Sequence, residues 1–119
     1  MHTPIRQELL DFTIHVVSLI RPIVEAIARH DRELGSQVRR ATNSFALNLA
    51  EAFGTQNGNE RQRLSTALGS VYEARHGVRL GAWGYVDAGE SAEALAALDR
   101  LGGRSVSYTH LTLPTILRV

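Results

Sequence analysis

The run LGSQVRRATNSFALNLAEAFG, Leu34 to Gly54, decides how this chain folds. Leu34, Val38, Ala41, Phe45 and Leu49 recur at spacings of 4, 3, 4 and 4, which lays an apolar stripe along one face of a helix. Asp31 stands where an N-cap belongs and Gly54 where a helix stops, so the spacing predicts a helix over Arg32 to Phe53. Such a stripe cannot bury itself, so this helix needs other helices as partners.

The flanking sequence supplies them. Upstream, Leu9, Phe12, Val16, Ile20, Ile23 and Ile27 mark a helix from Ile5 to Arg29. Pro22 interrupts it, and a kink is expected there because proline removes a hydrogen bond and crowds the Ser18 carbonyl. Downstream, the short turn-rich segment GTQNGN, Gly54 to Asn59, implies antiparallel neighbours. Asn59 then caps a third helix, Glu60 to Trp83, with Leu64, Leu68, Val71, Val78 and Ala82 inward. Ser91 or Asp87 caps a fourth, Ser91 to Leu101, with Leu95, Leu98 and Leu101 inward and Gly102-Gly103 at its end. The economical architecture is an all-α, antiparallel up-and-down four-helix bundle over residues 1–104.

Residues 105–119, SVSYTHLTLPTILRV, break the helical period, and within them VSYTHLTLPT resembles a translated vector or sequencing adaptor. The segment is therefore set apart as a non-native tail, or, if native, a peripheral extended arm.

Composition narrows the function classes. Of 119 residues 44% are hydrophobic and 21% charged, as in one compact domain. The absence of cysteine excludes disulfides, thiolate metal sites and a cysteine nucleophile. No apolar run reaches the ~20 residues of a membrane span. The opening MHTPIRQELL lacks the basic-then-apolar order of a secretion signal, so a cytoplasmic location is expected. His2, His15, His30, His76 and His110 form no i, i+4 pair, which argues against a metal site, and no cofactor is expected.

All 13 basic residues are arginine, against 12 acids, so net charge does not advertise a nucleic-acid binder. Locally, Arg61, Arg63, Arg75 and Arg79 outnumber Glu60 and Glu73 over residues 59–86, whereas Asp87, Glu90, Glu93 and Asp99 outnumber Arg100 and Arg104 over residues 87–104. This pattern suits charge complementarity between neighbouring helices or a basic patch for phosphates.

Beside the apolar stripe of the second helix, Gln37, Arg40, Ser44, Asn48 and Glu51 form a polar one, with a possible partner row in Thr66, Ser70 and Glu73 and Gly69 allowing close approach. It is either a solvated face or a polar cluster of Arg40, Asn48, Glu51 and Glu73 that fixes helix register. Two carboxylates without a metal ligand or pocket define no reaction class. Gly77 and Gly81 point to close packing, within or between subunits, before a ligand channel. Trp83 and Tyr85 either close the end of the core or stack on bases.

The run from Leu34 to Gly54, with ALGSVYEAR (Ala67 to Arg75) and LGAWGYV (Leu80 to Val86), resembles the four helix bundle protein family, also called the 23S rRNA-intervening-sequence protein family. The family's Gln-x-x-Arg-Ala segment falls on Gln37, Arg40 and Ala41, its Asn-Ile-Ala-Glu-Gly segment on Asn48 to Ala52, and its Gly-Ser-x-x-Glu segment on Gly69, Ser70 and Glu73. The resemblance spans roughly residues 9 to 101. It implies a non-enzymatic bacterial bundle that assembles into a ring, commonly a pentamer. It also implies a scaffold or adaptor role, or, as in accessory proteins of diversity-generating retroelements, binding of a reverse transcriptase and nucleic acid through a basic surface. The chain departs from the pattern at Ala52, where the family has glycine, and at Thr55, where it has arginine. Val17, Val24 and Leu47 lie off the main stripes, so either contacts between copies or a broader internal core must cover them.

Overall fold

In a computed structural model, which describes residues 3–54 and 59–112, four α-helices follow in order: α1 (Thr3–His30), α2 (Arg32–Gly54), α3 (Glu60–Gly81) and α4 (Ala88–Thr112). There is no strand among the described residues. Each helix packs on its chain neighbours and α1 closes against α4, forming an antiparallel bundle of 44 × 24 × 22 Å. Thr55 and residues 113–119 lie outside the described residues.

The joins follow from capping chemistry. Asp31 alone separates α1 from α2, and its carboxylate accepts the Leu34 amide at 3.0 Å. Asp87 does the same for Glu90 at 3.1 Å, so the aspartate and not Ser91 caps α4, which starts three residues earlier than its spacing suggested. Asn59 occupies the N-cap position of α3, where its carbonyl accepts the Arg63 amide at 3.0 Å and no side-chain cap bond forms. The helix α1 runs on through Pro22, whose ring faces solvent.

The buried stripes hold Val16, Ile20, Ile23 and Ile27 of α1, Val38, Phe45 and Leu49 of α2, Leu64, Val71 and Val78 of α3, and Leu98 and Leu101 of α4. Phe12 is only half-buried; Thr13 takes the inward position, its hydroxyl donating to the Leu9 carbonyl at 2.8 Å. Small residues set the closest approaches. An added Cβ at Gly77 would lie 2.5 Å from Val38 Cγ2, and one at Gly81 would run into the end of the Ile27 side chain. Those two glycines therefore serve packing within the chain. Gly69, in contrast, faces open space.

The fourth helix runs past Leu101, where its spacing placed the end. The Gly102-Gly103 pair does not end it, and Ser105 to Thr112 is helical, not an extended arm. Ser105 and Tyr108 follow Leu101 at 4 and 3 residues and continue its buried stripe, while Gly102 packs against Val71, Leu68 and Tyr72. Burial of this face outweighs the weak helix propensity of two glycines, about 1 kcal/mol each.

At this end of the bundle Tyr108 donates to Glu60 at 3.0 Å and accepts from Arg6 Nε at 2.9 Å; Arg6 also reaches the Phe53 carbonyl at 3.1 Å. Burial first, then the hydrogen bond to Glu60, pushes the Tyr108 phenol above its ordinary value. Tyr108 belongs to the stretch that resembles an adaptor translation, and no functional role is assigned to it.

Candidate functional site

The polar stripe of α2 meets α3 along a seam. Ser44 and Ser70 share a hydrogen bond of 2.7 Å between their hydroxyls. One turn on, the Asn48 amide donates to the Ser44 carbonyl at 2.8 Å while its oxygen accepts from Arg63 Nη1 at 3.1 Å. Arg63 also pairs with Glu51 at 3.1 Å, in the open. Each half-buried polar group has a partner, so the seam fixes the register of α2 against α3 without leaving an orphan.

This assembly differs in membership from the cluster expected from spacing. Asn48 and Glu51 join the seam, but Arg40 turns back along α2 to Ser36 Oγ at 2.9 Å and Glu73 is exposed. A long side chain on a helix leans toward the N-terminus, which carries Arg40 away from Ser44. Arg63 takes the cationic place instead. Its pairing depends on the register that the α2–α3 connection imposes, and periodicity within a single helix does not show it.

The four arginines considered for phosphates do not form one surface. At about 3.6 residues per turn, Arg61, Arg75 and Arg79 share a side of α3, with Arg63 roughly half a turn away. Arg61 and Arg79 are about 27 Å apart along the axis. Arg75 is held by Asp99 of α4, Nε to Oδ1 at 2.6 Å, which realises the charge complementarity between the third and fourth helices. Arg61 and Arg79 remain exposed, Arg61 beside a shallow polar depression of about 430 Å³ with Gln62, Ser65 and Thr66.

The other flank of α2 is different in kind. Ala28 against Gly35 and Arg6 on the Phe53 carbonyl set the antiparallel register with α1. Between the helices runs a groove of about 380 Å³ lined by Val17, Val24, Arg21, Arg39, Thr42 and Asn43. Val17 and Val24 are half-buried and pack on the core, so they broaden it from within. Ile14 and Leu47 do not: they continue the two walls of the groove at helical spacing and are 67% and 65% exposed. Ile14 was not singled out by the sequence reading, although its spacing of 3 from Val17 was available as a signal.

At the far end of α3 the chain continues in helical turns to Tyr85, whose amide donates to the Gly81 carbonyl at 2.9 Å. Tyr85 stacks on His30 with ring centroids 5.0 Å apart. Trp83 closes no core; it is 91% exposed. Among the described residues, no three of His, Asp and Glu come together as a metal site requires. No helix of the described residues is long and apolar enough to cross a membrane.

The fold and its surfaces thus define an all-α four-helix bundle with one self-satisfied polar seam and one apolar flank open to solvent. Compared with known proteins, the chain matches no family model, no curated protein and no solved structure.

Proposed function

We propose that this protein is a non-enzymatic, self-assembling bundle of the 23S rRNA-intervening-sequence type, acting as a scaffold or adaptor in the cytoplasm. The observation that carries this reading is the pair Ile14 and Leu47, two large aliphatic side chains about two-thirds exposed, one helical step beyond Val17 and Asn43 of the α1–α2 groove. Burying them against another copy removes apolar surface from water at about 25 cal/mol per Å². A heterologous contact that closes on itself makes a ring without open-ended growth. The family resemblance supports a ring of five.

The alternative, an accessory protein that presents an arginine-rich surface to RNA or DNA, draws less support from the geometry. Arg63 and Arg75 are held in ion pairs within the chain, and Arg61 and Arg79 stand far apart. Light scattering with and without RNA tests both readings. The expected result is an oligomeric mass that RNA does not change. A monomeric mass overturns the scaffold reading, and a salt-sensitive increase with RNA favours the alternative.

A further inference from the structure

A cavity of about 550 Å³ opens between α1 and α4, on the other side of α1 from the α2 groove. Ile5 and Leu9 of α1 and the backbone at Gly103 of α4 give it apolar walls, and Arg100 and Arg104 stand toward the middle of the bundle. Both guanidinium groups lie on one aromatic ring: the Cζ atoms of Arg100 and Arg104 are 5.3 and 4.6 Å from the centroid of Phe12. The ring holds the two cations in place but does not neutralise them, and like charges four residues apart on a helix repel. Neither arginine forms an ion pair among the described residues. Among the residues that line the cavity there is a single carboxylate, Glu8, so two positive charges face one negative. Gly103 adds a separate observation. Gly102 packs against α3, but an added Cβ at Gly103 would meet nothing within 4 Å, so no contact within the chain requires glycine there. Glycine inside a helix weakens it, and one use that justifies it is close approach of the backbone to a ligand.

We infer that this cavity binds a small amphiphile with a carboxylate head and an alkyl chain of medium length. The planar fork of arginine matches a carboxylate in geometry as well as charge, and an anion between Arg100 and Arg104 relieves their repulsion. The balance of two guanidinium groups against Glu8 suits a single negative charge. An alkyl chain would run from the arginines along the Gly103 backbone, over Ile5 and Leu9, where α4 offers about 10 Å between Arg100 and Ser107. The volume falls in the range of small-molecule sites, which pair apolar walls with a few placed polar groups. Ser107 and Tyr108 border the outer end, and no part of the recognition rests on them. The site is on the α1–α4 flank, so it stands or falls independently of the assembly proposed for the α1–α2 flank.

Isothermal titration calorimetry of the whole chain with sodium octanoate tests the site. Octanoate is expected to bind one molecule per chain with a Kd of roughly 0.1 to 1 mM, the affinity that a ligand of this size reaches in a partly open site. Acetate, which has the charge without the chain, and 1-octanol, which has the chain without the charge, are each expected to bind at least about tenfold more weakly. Gly103→Leu is expected to abolish octanoate binding by filling the cavity, with the melting temperature unchanged or raised, because its side chain enters open space and leucine favours a helix. Arg100→Gln with Arg104→Gln is expected to weaken octanoate at least about tenfold and to leave the melting temperature within the small range of surface substitutions. No binding of octanoate, equal binding of 1-octanol, or octanoate binding that survives either Gly103→Leu or the double glutamine variant overturns the inference.

Discussion

The two flanks of α2 are built on opposite terms. Toward α3, Ser44, Asn48 and Ser70 are drawn into the bundle and every one of them is hydrogen-bonded inside the chain. Beyond the groove toward α1, Leu47 and, on α1, Ile14 are left outside it. A buried polar atom without a partner costs about 1 to 3 kcal/mol, so a single chain has to resolve its polar seam by itself. An exposed aliphatic side chain is under no such compulsion, and its burial can wait for another molecule. Register is therefore settled within the chain on one flank, and the assembly proposed above concerns the other.

The seam breaks most easily where it is tightest. Gly77→Ala is expected to cost about 1 to 3 kcal/mol, because the new methyl meets Val38, whose branched side chain has little freedom to move. Val38→Ala in the same chain should recover part of that loss, and urea denaturation of the two variants measures it. Asn48→Ala is expected to cost roughly 1 kcal/mol through the lost bonds to Ser44 and Arg63. Glu51→Ala should cost less, at most about 1 kcal/mol, because its pair with Arg63 lies in solvent. If Glu51→Ala melts at a lower temperature than Asn48→Ala, the division of the seam into an inner and an outer part is wrong. On the opposite flank, Ile14→Ser with Leu47→Ser should leave the melting temperature of the monomer within the small range of surface substitutions.

The end network of Arg6, Glu60 and Tyr108 adds a pH test. The phenol ionises above its ordinary value in the folded chain, so the unfolded chain loses that proton first as pH rises. The contribution is whole below the ordinary tyrosine value of about 10 and is lost as pH rises through the folded one. Tyr108→Phe should remove this part of the alkaline decline, as followed by circular dichroism, while leaving the seam variants' order unchanged.

The helices and the apolar stripes were legible because period and capping residues are local. What lay beyond reach depended on neighbours. Thr13 reads as polar, yet a bond to the Leu9 carbonyl hides its hydroxyl and lets it replace Phe12 in the core. The glycines at 102 and 103 read as a stop, yet Gly102 is buried on α3 and the helix continues. Arg63 reads as one of a basic row, yet the register between α2 and α3 brings it to Asn48 and Glu51. Leu47 was visible as a residue off its stripe; the exposure of Ile14 was not, because it depends on how α1 turns its face toward its neighbours.

Sedimentation velocity at tens of micromolar tests the division of labour most directly. The chain is predicted to sediment as an oligomer, with a mass of about five times 13.1 kDa for the proposed ring of five, and Ile14→Ser with Leu47→Ser is predicted to reduce it to a 13.1 kDa monomer with unchanged helicity. A monomer before the groove is altered, or an assembly that survives its alteration, would contradict the account.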